Sequence, residues 1–468
     1  MLKRQQHIRK GLTVGSGLVA FVGLFLVINH TILRGQWIRD IELYFEYSQQ
    51  ILTGQIPYLD FAAEYPPAAF LAMLPPQLLA QGNLERYRIF FAAENILFMF
   101  LGALLILVIA PTFNYHLELQ SVLRWVLKWG WVIATIAVIL AWLSPLVFLI
   151  VLILSLIIGI RQTTLLNIQQ KQALSAYGIY ILILSPIWLW RYDFFVVLLT
   201  LITLLGLRQF RPVVVGVSLA LGILAKLYPI VMLPPIAFSY LIQRNYHALT
   251  QFMGAMVITL MMSITPFLWL DAQQFIAFLG YHQERPLQLE SLPAGVAILL
   301  HQWNGLTVEK VFSHSSEGLV FAGDRVILSL LPYLFIGLAC LGSYWIWRCF
   351  SQQHQQTKQV SLTTIAQGCL IMHLVFILSN KVFSPQYVLW LLPFVLLLGQ
   401  RDRIVYLVIC LLTILVYPTF YDRLMESWSV ALLLNMRNGL MVVWVVLLIR
   451  TLPILVHSSS STVVLKSR

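Results

Sequence analysis

Acids crowd a short polar stretch near the N-terminus. Asp40 follows Arg39, Asp60 closes the run Gly54-Gln55-Ile56-Pro57-Tyr58-Leu59-Asp60, and Glu64 opens Glu64-Tyr65-Pro66-Pro67. A carboxylate so placed can take a proton from a hydroxyl, ligate a cation, or simply be solvated. Four cations occupy places where charge is expensive. Arg191, in Arg191-Tyr192-Asp193, opens an apolar run, and Lys226, in Lys226-Leu227-Tyr228-Pro229, interrupts another. Arg285 lies in Tyr281-His282-Gln283-Glu284-Arg285-Pro286-Leu287-Gln288-Leu289-Glu290-Ser291. Lys381 heads Lys381-Val382-Phe383-Ser384-Pro385-Gln386-Tyr387, just before Leu391-Leu392-Pro393. Arg and Lys beside lipid mark either a function or a buried pair. A guanidinium offers a fork for phosphate and an ammonium a point charge. Blander readings stand beside these: an Arg191–Asp193 pair, a snorkelling Lys226, a helix-flanking Lys381 and a solvated His282. Arg437, between Asn435 and Asn438 in the last apolar run, is either a buried polar contact or a sign that this run starts later, and no role is assigned to it.

The elements that carry these residues are membrane spans. Of 468 residues, 60% are hydrophobic and 10% charged, against about 25% charged in soluble domains, and the mean hydropathy is +0.84. Apolar runs start near Leu12, Ile89, Val122, Leu143, Gln172, Phe194, Pro212, Pro229, Leu249, Val326, Leu362, Pro385, Ile404 and Trp428. These predict an all-α polytopic membrane protein with about 12 to 14 crossings and a single membrane domain over residues 1–468. Pro66 to Ala80, with two Pro-Pro pairs, reads as a broken or re-entrant segment. The first run, after Lys3, Arg4, Arg9 and Lys10, is long enough to span and lacks a small-residue cleavage site, so it reads as an uncleaved helix. From Asp40 to Leu52 apolar and polar residues alternate at helical spacing, which predicts an amphipathic interfacial helix ended by Gly54 and Pro57.

Charge orients the spans. The net charge is +12 and the pI near 9.6. In a soluble chain that would suggest nucleic acid, but here the basic residues sit in short breaks between apolar runs, with no nucleic-acid-binding motif. Arg161, Lys171, Arg208, Arg211, Arg244, Arg348, Lys358, Arg401, Arg403 and Arg450 fall in one set of breaks, and 14 of the 18 acids in the other. Both termini are therefore expected in the cytoplasm, with the loops at 35–66 and 271–325 outside. Cys340, Cys349, Cys369 and Cys410 lie in or beside apolar runs without CxxC spacing, so neither a disulfide framework nor a zinc site is expected.

The order of these motifs, from Asp40 to Pro393, resembles the GT-C glycosyltransferases, and within them glycosyltransferase family 87, which includes polyprenyl-phosphate-mannose-dependent α-mannosyltransferases. Pro286 departs from the glycine found there in many members, while the flanking His, Gln, Glu and Ser are kept. The resemblance implies Asp40 as general base, Arg191, Lys226, His282, Arg285 and Lys381 at the donor phosphate and sugar, and Asp60, Glu64, Tyr65, Asp193, Gln288, Glu290, Gln386 and Tyr387 shaping the substrate. It further implies inverting transfer of a hexose, mannose by default, from a polyprenyl-phosphate donor to a lipid-linked or glycan acceptor at the extracytoplasmic face of the cell membrane. Some GT-C relatives use a divalent cation held by acids of the first loop. Family 87 implies none, and no cofactor or metal is expected. Transport, or flipping of a lipid-linked saccharide, is the main rival, but no internal repeat supports it. A polymerase or ligase of surface polysaccharide would be expected to carry more arginine in the large loop.

Overall fold

The computed structural model describes residues 39–109, 168–313 and 316–463. The runs expected near Leu12, Val122 and Leu143, the N-terminal basic cluster, Arg161 and the basic C-terminal end lie outside the described residues. The first described helix, α1 (Arg39–Leu52), has the expected amphipathic pattern. Ile41, Tyr44, Tyr47 and Ser48 are buried, whereas Glu42, Glu46 and Gln49 are exposed. That stripe seats on the helix bundle: the Tyr44 ring meets Phe91 at 5.6 Å and Tyr192 at 5.4 Å. Asp40 and Glu42 in the first turn complement the positive end of the helix dipole. After Leu52 the chain turns through Gly54, whose φ of +93° suits glycine.

Pro66 and Pro67 then open a 3-10 turn, Pro67–Ala72, followed by α2 (Leu74–Ala80). At about 2.0 and 1.5 Å per residue these two pieces reach roughly 22 Å, short of the roughly 30 Å hydrocarbon core. The segment is therefore broken as expected and too short to cross unaided.

The bundle continues with α3 (Leu84–Ile109), α4 (Ile168–Ile183), α5 (Asp193–Arg208), α6 (Pro212–Ala225), α7 (Leu233–Ile242) and α8 (Tyr246–Gln283). It closes with α9 (Leu292–Asn304), α10 (Asp324–Thr357), α11 (Leu362–Leu378), α12 (Gln400–Ile414) and α13 (Trp428–Val463). Among the described residues five helical stretches are long and apolar enough to cross a membrane: Leu84–Ile109, Tyr246–Ala277, Asp324–Thr357, Gln400–Thr419 and Trp428–Leu452. Two of them face outward along most of their length, with Met262, Trp269, Tyr333 and Leu341 at least 65% exposed, as lipid-facing helices must be. The chain is an all-α polytopic membrane protein. Helices α6 and α8 approach closely at Gly216, where a Cβ would stand 2.3 Å from the Phe252 carbonyl oxygen.

The polar loop that follows α8 holds a small sheet that the sequence pattern did not announce. Strands β1 (Leu287–Gln288), β2 (Val308–Ser313) and β3 (Ser316–Phe321) are antiparallel, in the order β1-β3-β2, with Leu287 opposite Leu319. Leu287, Leu289, Ala294, Ile298 and Leu319 form a second hydrophobic cluster with Val416, Leu424 and Leu434, separate from the main core.

Three helices are interrupted where the chemistry-bearing residues lie. Lys226, with φ −159° and ψ 125°, separates α6 from the 3-10 turn Tyr228–Met232. Pro229 cannot donate to a continuing helix. Arg191 lies between the single turn Ser185–Trp188 and α5, and Pro385 opens the 3-10 turn Pro385–Leu391. Irregular backbone at membrane depth is tolerated where it lines a cavity or is buried in protein.

Candidate active site

These interruptions converge on one cavity of about 920 Å³. The first turn of α1 supplies Asp40, and the break before α5 supplies Arg191. Arg191 Nη1 lies 3.0 Å from Asp40 Oδ2, and Nη2 donates to Tyr417 Oη at 3.3 Å. Burial opposes the Arg191 charge. The Asp40 carboxylate above all, with Asp193 behind it, more than offsets that cost, so the guanidinium holds its proton more tightly than usual.

The break after α6 supplies Lys226. Its ammonium lies 2.8 Å from both oxygens of Asp193, and Trp390 Nε1 donates to Asp193 Oδ1 at 2.8 Å. Asp193 is fully buried and does not line the cavity; it anchors Lys226 and Trp390 from behind. The ion pairs thus join different elements, Asp40 with Arg191 and Asp193 with Lys226, where the sequence alone suggested a local Arg191–Asp193 pair. Tyr228 and Tyr387 both stack on Trp390, each with ring centroids 3.7 Å away. With Leu227 and Ile230, 40% and 52% exposed, they give the cavity an apolar side.

The polar loop and the segment after α11 supply the remaining cations. Arg285 Nη2 donates to Ser316 Oγ at 3.2 Å, and the Arg285 carbonyl accepts from Lys381 Nζ at 2.8 Å. The Gln288 N–H in turn donates to the Lys381 carbonyl at 3.0 Å. The two segments are therefore stitched together, and both cations line the cavity. Burial, with a smaller contribution from neighbouring Arg285, lowers the Lys381 pKa from its ordinary value of 10.5.

Glu290 is held from the far side by α13. Its Oε2 accepts from Arg437 Nη1, and its carbonyl accepts from Arg437 Nη2 at 3.0 Å and from Asn438 Nδ2 at 3.3 Å. The Arg437 guanidinium also sits 4.1 Å above the Phe383 ring, a cation–π contact. Burial pushes the Glu290 carboxyl above its usual range, against the opposing pull of Arg437.

Eleven of the fourteen residues singled out from the sequence line this cavity: Asp40, Glu64, Tyr65, Arg191, Lys226, Arg285, Gln288, Glu290, Lys381, Gln386 and Tyr387. Asp60 is exposed, and its Oδ2 accepts the Ile56 N–H at 2.7 Å, which fixes the turn of the first loop. The His282 side chain lies outside the described residues. Sequence reasoning assigned nothing to Trp390, Tyr417 or Arg437. Trp390 stands three residues after Tyr387 in the same motif, and Arg437 was visible as a charge in an apolar run; Tyr417 carried no signal. Among the described residues no three His, Cys, Asp or Glu side chains group as a metal ion would require.

The fold and site define a polytopic helical membrane protein with a cavity, lined by charged and aromatic side chains, where its helices break. The model of glycosyltransferase family 87 matches residues 132–375, more than half of the chain, and the protein belongs to that family. The match includes Arg191, Lys226, Arg285, Gln288 and Glu290, while Asp40 and Lys381 lie outside it. No curated protein and no solved structure matches the chain.

Proposed function

We propose that the enzyme transfers a hexose, mannose by family resemblance, from a polyprenyl-phosphate donor to a lipid-linked or glycan acceptor on the extracytoplasmic side of the membrane. The observation that carries this reading is the composition of the cavity: Asp40, Arg191, Arg285 and Lys381 share it with the exposed apolar residues Leu227 and Ile230. A lipid phosphate requires that combination, with cations for the headgroup beside an apolar flank for the chain.

Asp40 acts as general base. Its Oδ2 is engaged by Arg191, and its second oxygen takes the proton of the acceptor hydroxyl as that oxygen attacks the anomeric carbon. The bond from the anomeric carbon to the phosphate oxygen breaks in the same step, and its electrons pass to the phosphate. Arg285 and Lys381 stabilise the charge that develops there, while Arg191 orients the base. A single displacement inverts the anomeric configuration, so a β-linked donor gives an α-linked product.

The test is to incubate the purified protein in lipid with radiolabelled polyprenyl-phosphate sugars and to determine the linkage of the labelled product. An α-linked product from a β-linked donor is expected. A β-linked product, or transfer only from a nucleotide sugar, refutes the reading.

A further inference from the structure

We propose that Gln288 and Glu290 are specificity-determining residues, whose Oε1 atoms accept hydrogen bonds from hydroxyl groups of the transferred sugar. The inference rests on the polyprenyl-phosphate-sugar reading above and adds to it which side chains read the sugar.

It begins with the short strand β1 and the turn that follows it. Leu287 and Leu289 are 0% and 1% exposed and point into the small cluster beneath the sheet. Gln288, in β1, and Glu290, in the turn that the Ser291 N–H closes onto the Gln288 carbonyl at 2.9 Å, both line the cavity, although they are only 9% and 1% exposed. Among the described residues neither Gln288 Oε1 nor Glu290 Oε1 has a hydrogen-bond partner. Leaving a buried acceptor unsatisfied is costly, and a carboxylate oxygen more so. Two such acceptors on residues that line one cavity call for a ligand with two or more donors, and a sugar presents several hydroxyls.

Their placement selects the transferred sugar. At one end the Gln288 backbone is bonded to Lys381, whose neighbour Arg285 completes the pair of cations proposed to hold the phosphate. At the other end Glu290 shares the cavity with Arg191, which is itself paired with Asp40. A sugar running from phosphate to base therefore passes the two acceptors. Arg437 is the positioning residue. It occupies Oε2 and the Glu290 carbonyl, which leaves Oε1 as the carboxylate oxygen without a partner among the described residues.

The experiment compares a short-chain polyprenyl-phosphate mannose with its monodeoxy analogues, using full-length wild type, Gln288→Leu and Glu290→Gln. In wild type, removal of a hydroxyl that is read should lower kcat/KM about tenfold to a hundredfold. In the matching variant that penalty should shrink to less than about threefold, a coupling that general structural damage does not produce. Sugar-free polyprenyl phosphate should bind all three proteins equally. Gln288→Leu leaves the Arg437 pair intact, so the test survives if Glu290→Gln fails to fold. Equal deoxy penalties in wild type and Gln288→Leu overturn the inference while leaving the glycosyltransferase reading in place; that is also the result if these residues read the acceptor. Wild type that transfers from none of the donors overturns both.

Discussion

Replacing Arg437 by Met should cost more stability than any single change on the lipid-facing helices. Arg437 and Glu290 are 0% and 1% exposed, so neither charge is screened by water. The substitution removes two donors to Glu290 and the contact over Phe383, and it strips Oε2 of its Arg437 partner in a carboxylate whose Oε1 already has none among the described residues. Breaking one side of such a pair costs about 3–5 kcal/mol. At roughly 2 °C per kcal/mol for a large domain, the midpoint should fall by on the order of 6–10 °C. The decisive comparison is the double variant Arg437→Met with Glu290→Leu. Removing both charges eliminates the stranded group, so the double variant should be more stable than Arg437→Met alone and within about 1–2 kcal/mol of wild type. Thermal unfolding in nanodiscs reads all three. If Arg437→Met melts with wild type, or the double variant is worse than the single, the pair does not hold the loop as described.

Lys381 has a lowered pKa, so the charge proposed to face the donor phosphate is present at low pH and lost as pH rises through that lowered value. The alkaline limb of kcat/KM, which reports the free enzyme, should accordingly lie below 10.5, and Lys381→Arg should move it upward; an unmoved limb excludes Lys381 as its source. Gly216→Ala forces a Cβ to within 2.3 Å of the Phe252 carbonyl oxygen and should cost about 1–3 kcal/mol in thermal unfolding. Gly254→Ala, with nothing within 4 Å of its added Cβ, should be neutral or mildly stabilising, and equal effects at the two positions would contradict the close approach of α6 and α8.

The class of fold was legible because lipid imposes long apolar runs, and α1 because its stripe keeps helical period. Most of the residues that line the candidate site were legible for a related reason. Arg191, Lys226, Arg285 and Lys381 stand out where charge beside lipid is expensive. What the sequence left open was pairing. Arg191 has an acid two residues away, yet it pairs with Asp40 across about 150 positions, and Asp193 serves Lys226 instead. Local spacing favours the nearer partner, and only the helix breaks decide which side chains meet. The small sheet was hidden because β1 is two residues long and draws its order from β3. Trp390 and Tyr417 were missed because an aromatic in an apolar run looks like core until a charge or a ring is seen against it.

The measurement that bears most directly on the central claim is transfer by Asp40→Asn, with a radiolabelled polyprenyl-phosphate mannose as donor and binding of sugar-free polyprenyl phosphate as the control. Loss of a general base should lower turnover by about 10²- to 10⁴-fold while lipid-phosphate binding is retained. Transfer at the wild-type rate by Asp40→Asn would contradict the assignment of Asp40 as the base.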